Sequence, residues 1–179
     1  MLLLQFFQAL EASAVANWIR TSFYAQPLIS ALHLFGLTMV FGTISIVDLR
    51  LLGIPNAGRP FTVIAGELLR WTWLAFALTF VTGLLMFTTS AAAYYQNTPF
   101  RLKMLVLLLA GVNMLIFELL TVRSVERWNK DAPAPATAKV AGALSLLFWI
   151  GVICFGRWIG YTERYDFGVP ADMNLDFLP

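Results

Sequence analysis

The sequence predicts an all-α integral membrane protein: a four-helix bundle preceded by an amphipathic helix lying in the membrane interface. Three observations predict it. Of 179 residues, 59% are hydrophobic and only 12% charged, where soluble domains carry roughly a quarter charged residues. A soluble core of this length cannot cover that much apolar surface. Four apolar stretches also reach the roughly 20 residues that a helix needs to cross a bilayer, and the short connections leave residues 1–179 as a single membrane domain.

Residues 1–22 form the interfacial helix. Gln5, Gln8 and Glu11 recur every three residues, and Leu3, Phe6, Phe7, Leu10 and Ala14 make the opposite, apolar stripe. Ala12-Ser13-Ala14 also fits a signal-peptide cleavage site, but the basic region that would precede one is missing. The first span covers 28–47, with Pro27 in its first turn and Asp48-Leu49-Arg50 at its far end. A turn-rich loop with Pro55, Gly58 and Pro60 follows. Residues 61–69 read as a short interfacial helix. The second span covers 71–89, bracketed by Trp71, Trp73, Tyr94 and Tyr95 as interfacial aromatics do. The third covers 102–122, the stretch 131–137 is a stiff Ala-Pro linker, and the fourth covers 140–159. The acidic tail, 161–179, is loop-like.

Charge sets orientation and excludes several classes. Seven basic residues (Arg50, Arg59, Arg70, Arg123, Arg127, Lys130, Lys139) flank the loops after spans one and three. Five (Arg20, Arg101, Lys103, Arg157, Arg164) lie on the other side. The positive-inside rule places both termini outside, which is the periplasm for a bacterial inner membrane. A net charge of +2 without a Lys/Arg run leaves no nucleic-acid footprint. One histidine excludes a bis-histidine haem within one chain, and the single Cys154 excludes an intrachain disulfide. No zinc pattern, Ser-His-Asp logic or phosphate loop is present, and neither are transporter-like broken helices or a channel filter.

Each span carries a small or polar seam at helical spacing, and small residues let membrane helices approach closely. The seams are Ser30, His33, Gly36, Val40 and Thr43; Thr72, Thr79, Thr82 and Gly83; Lys103, Ala110, Asn113 and Phe117; and Gly142, Ser145, Trp149, Gly156 and Gly160. Ionisable residues inside a span are costly, so they mark candidate sites. His33 reads as a haem or metal ligand or a proton carrier, against a plain inter-helix hydrogen bond. Lys103 opens the third span on the same side of the membrane and reads as a partner of His33, against a snorkelling lysine. Arg157 and Arg101 read as propionate partners or interfacial anchors. Asp48 and Arg50 read as an ion-pair corner with Arg70 or Glu67, or as residues that fix the following loop. Glu118 reads as a proton relay or a partner of Arg123. Met39, Met86, Met104 and Met114 lie on different helices and read as packing rather than copper ligands.

The stretch Leu32-His33-Leu34-Phe35-Gly36 through Asp48-Leu49-Arg50-Leu51-Leu52-Gly53 resembles the first span of a group of uncharacterised bacterial four-helix inner-membrane proteins. So does Pro99-Phe100-Arg101-Leu102-Lys103 followed by Ala110-Gly111-Val112-Asn113. More distantly, both are similar to the membrane haem-containing protoporphyrinogen oxidase family and the copper resistance protein D family. The likeness covers two of four spans. It implies that His33 and Lys103 hold haem b. Where the oxidase family carries further histidines, this chain has Asp48, Asn113 and Glu118, so the resemblance does not extend to protoporphyrinogen oxidation.

The expected function is therefore a four-helix protein binding a single b-type haem for electron transfer with quinol or a periplasmic partner. His33 and Lys103 act as ligands, Arg157 and Arg101 lie near the propionates, and Asn113, Trp149 and Trp158 line the pocket. The alternatives are a non-catalytic subunit of a larger membrane complex, and copper or small-solute transport. Expected partners are the lipid bilayer, a quinol or membrane protein, and a second copy of the chain.

Overall fold

The computed structural model describes residues 2–54, 60–121, 125, 128 and 134–162. Every element among them is helical: α1 (Leu2–Glu11), α2 (Ala14–Thr21), α3 (Ala25–Leu52), α4 (Phe61–Thr89), α5 (Ala91–Gln96), α6 (Thr98–Ile116) and α7 (Ala136–Thr162), with a π-turn over Phe117–Thr121 extending α6. Four helices are long and apolar enough to cross a membrane: α3, α4, α6 with its π-turn, and α7. Side chains such as Leu34, Leu74, Leu108 and Leu147 stand more than half exposed on their outer faces. Water penalises such a surface and lipid does not.

Local chemistry sets the element ends. The Ser13 hydroxyl accepts from the Ala16 N–H at 3.3 Å, a side-chain N-cap, so the N-terminal helix is two helices broken at Ala12-Ser13 rather than one. Gly53 takes the left-handed conformation (φ 87°). Its N–H donates to the Arg50 carbonyl, and the Ile54 N–H donates to the Leu49 carbonyl at 2.9 Å, which ends α3 as glycine ends many helices. Asn97 caps α6 by accepting from the Phe100 N–H at 3.0 Å, with Pro99 in the first turn.

The first, second and fourth expected spans sit inside longer helices, and the third begins earlier, at Thr98, with its expected last residue, Val122, outside the described residues. Residues 61–69 are no separate interfacial helix: they form the first turns of α4, which continues unbroken through Glu67 and Arg70. Arg70 is exposed and Glu67 lies on the same solvent-reaching stretch, so the charges do not interrupt the backbone ladder. Tyr94 and Tyr95 lie on the short α5. Residues 163–179, most of the acidic tail, lie outside the described residues, as do Arg59, Arg123, Arg127 and Lys130.

The spans run alternately up and down, so α3 begins, α4 ends, α6 begins and α7 ends at what is called here the near end. α3 packs against α4 and α7, and α6 packs against α7. α4 and α6 do not pack closely along their lengths; aromatic pairs join them at the two ends. Phe87 and Phe100 stack at 5.6 Å near, and Phe61 meets Phe117 edge-on at 6.2 Å far.

The core is layered. Ile19, Ala25 and Ile29 pack with Leu85 and Met86 at the near end. Val40, Ala75, Trp149 and Val152 fill the middle, and Leu51, Phe61, Trp128, Ala134 and Ala138 close the far end. α1 and α2 cap the near end. The Arg20 guanidinium donates to the Thr89 carbonyl at 2.9 Å and the Glu11 carbonyl at 2.7 Å. The Glu11 carboxylate accepts from the Ala92 N–H at 2.8 Å.

Candidate functional site

The α3–α4 contact builds the site around His33. A side chain at Gly36 would collide with the Thr79 hydroxyl and come within 3.2 Å of the Ala75 carbonyl, so glycine here lets the two backbones meet. One turn toward the near end the same closeness seats the imidazole. His33 Nδ1 lies 3.0 Å from the Thr79 carbonyl oxygen and 3.1 Å from Thr82 Oγ1. A carbonyl only accepts, so Nδ1 carries the proton and donates. The Thr82 hydroxyl gives its own proton to the Leu78 carbonyl at 2.7 Å and is free to accept. Gly83 leaves room for the ring, since a Cβ there would lie 3.1 Å from Cε1.

This fixes the tautomer. With Nδ1–H committed to a carbonyl, Nε2 keeps a lone pair, and no hydrogen bond engages it among the described residues. Metal-ligating histidines are oriented in the same way, by a second-sphere acceptor on the other nitrogen.

Lys103 enters from α6. It is half-buried, and its stem lies along α7 beside Gly156, with Nζ 3.6 Å from the position a Cβ would take. Among the described residues no hydrogen bond or ion pair holds its ammonium. His33 lies in the first turns of α3 and Lys103 in the first turns of α6, and both helices begin at the near end. The two basic groups, 70 positions apart in sequence, thus share the near-end layer.

The other expected site residues do not join them. Asn113 lies ten residues further along α6, about 15 Å deeper, and its amide donates to the Ala141 carbonyl at 2.9 Å. Trp149 is buried in the middle core layer. Trp158 is exposed and stacks on Phe155. Arg157 is exposed, its guanidinium 5.3 Å over the Tyr161 ring, and Arg101 is exposed at the start of α6. Among the described residues nothing lies within 4 Å of a Cβ at Gly160, so no helix of this bundle packs against that glycine. Asp48 does not form the expected corner with Arg70: it is buried on α3 and its carboxyl bonds Ser145 on α7. Thr79 and Thr82, the groups that hold the imidazole, were visible in the sequence as seam residues spaced with Gly83. Among the described residues, no three His, Cys, Asp or Glu side chains gather to hold a metal ion. A haem needs only one or two protein ligands.

The model of a family of unknown function, DUF6644, matches residues 6–162. No curated protein matches, and no solved structure does.

Proposed function

The chain belongs to the DUF6644 family, and we propose that it is a bacterial inner-membrane protein that binds one b-type haem at the near end of its bundle for electron transfer. The observation that carries this is the His33 imidazole, with Nδ1–H tied to the Thr79 carbonyl and Nε2 unbonded in a layer shared with Lys103. The donor set fits the group: an imidazole nitrogen with a free lone pair on α3, and an amine without a hydrogen-bond partner on α6. The likeness of the His33 and Lys103 motifs to the haem-containing oxidase family supports the same pair.

In this reading His33 Nε2 would hold the haem iron, and Lys103 Nζ, once it has lost a proton, would be a second ligand. Thr79 and Thr82 hold the ring in one orientation and one tautomer. The middle layer of Val40, Ala75, Trp149 and Val152 forms an apolar floor, and α1 and α2 cover the near end. Haem would supply one-electron chemistry there. The separation of α4 from α6 between their aromatic end-pairs gives a lipid-soluble quinol a lateral approach. The positive-inside rule puts the layer on the periplasmic side.

The test is the absorption spectrum of the full chain purified in detergent from haem-replete cells. The expected result is a Soret band that His33→Ala abolishes and Lys103→Met shifts. No band in the wild type, or an unchanged band in His33→Ala, overturns the reading and leaves a non-catalytic subunit, identified by a partner that co-purifies at fixed ratio.

A further inference from the structure

A second polar site lies in the far half, between α3 and α7. Asp48 is only 5% exposed. Its carboxyl bonds Ser145, while Oδ2 is fully buried and has no hydrogen-bond partner. Ser45 precedes it by three residues on the same helix, a spacing that puts both side chains on one face. The Ser45 hydroxyl oxygen is likewise buried and unpartnered. α7 comes close because residue 142 is glycine: a Cβ there would sit 3.1 Å from the Asp48 carbonyl oxygen and 3.2 Å from Leu51 Cβ. The middle core layer closes one side, and Leu51, Phe61, Trp128 and Ala138 close the other. Among the described residues no lysine or arginine pairs with the Asp48 carboxyl.

We propose that Asp48, Ser45 and Ser145 form a binding site for a single monovalent cation of sodium size. Three occupants would relieve the orphaned oxygens to different degrees. A proton on Oδ2 neutralises the carboxylate and makes that oxygen a donor, but Oδ2 and the Ser45 hydroxyl do not bond each other in this geometry, so the serine would still need a bridging water. A water bonds both oxygens but leaves an uncompensated buried charge, which costs several kcal/mol. A monovalent cation answers both needs, because hard cations take carboxylate and hydroxyl oxygens as ligands. A divalent ion would replace one uncompensated charge with another, since one carboxylate is present. The site ties α3 to α7 and is independent of the haem reading.

The experiment is thermal unfolding of the purified full chain, followed by tryptophan fluorescence, in sodium chloride against N-methylglucamine chloride at equal ionic strength. Binding of radioactive sodium to the folded protein is measured alongside. The expected result is a saturable, sodium-dependent rise in Tm with one ion bound per chain. Asp48→Asn abolishes both responses. Ser45→Ala and Ser145→Ala each weaken the apparent affinity about tenfold, as loss of one charge-assisted contact implies. They also serve should Asp48→Asn fail to fold. Equal Tm in the two salts with no bound sodium overturns the proposal, as does an undiminished response in Asp48→Asn or in both serine variants.

Discussion

His33 and Lys103 at the near end and Asp48 and Asn113 in the far half are all polar groups on seams that face the bundle interior, yet they are held differently. Asn113 reaches across to the Ala141 carbonyl and joins α6 to α7, while Asp48 meets Ser145 yet leaves Oδ2 without a hydrogen-bond partner. His33 has one nitrogen bonded and one unbonded, and Lys103 merely lies beside a glycine. The Asn113 contact in the far half fastens two helices, whereas His33 and Lys103 at the near end, like Asp48, are positioned without being used up by packing. The apolar layer of Val40, Ala75, Trp149 and Val152 separates the two. A buried polar group that serves stability has its partners; one that serves a ligand keeps an unused valence.

Breaking the separating layer gives the largest effect. Trp149→Ala is expected to destabilise the fold by about 3–5 kcal/mol, measured by reversible unfolding in mixed micelles. Equal stability of the variant would mean that the layer is not a core. Thr82→Val sharpens the near-end half of the contrast. It removes an acceptor for the His33 ring while keeping its shape, and haem retention should fall about tenfold with the unfolding transition unmoved. Next come the paired substitutions. Asn113→Ala should cost about 0.6–1.7 kcal/mol, the range for hydrogen bonds between membrane helices. Lys103→Met should stay within about 0.5 kcal/mol while changing the spectrum. The reverse order of these two would erase the distinction. Smallest is Gly160→Ala, expected to leave both stability and spectrum unchanged, because among the described residues nothing lies near that position.

The spans were legible because a bilayer imposes a length and a composition. Their ends were not. α4 runs back to Phe61 through Glu67 and Arg70, since a backbone ladder does not stop where the hydrocarbon does. The π-turn at Phe117–Thr121 and the short α5 carry no clear periodic signal. Seam residues such as His33, Thr79, Thr82 and Lys103 stood out as polar groups inside apolar runs, where each is costly unless used. Arg157 and Trp158, expected beside His33 and Lys103, stand exposed instead for a rotational reason. Gly156 faces Lys103, and at about 100° per residue the next two positions turn away toward the outside of α7. In a helix apolar on all sides, sequence alone does not say which way an end residue points.

The Arg20 clasp has a consequence for how freely the chain can vary. Its guanidinium grips main-chain oxygens, those of Glu11 and Thr89, and every residue type supplies such an oxygen. The clasp therefore constrains one position and is blind to the identity of the other two. Substitutions at 89 that keep the helix leave it intact, and at 11 they remove only the separate carboxylate contact to Ala92. Lysine at 20, with one compact ammonium in place of a two-pronged fork, would hold one strand of the knot and release the other.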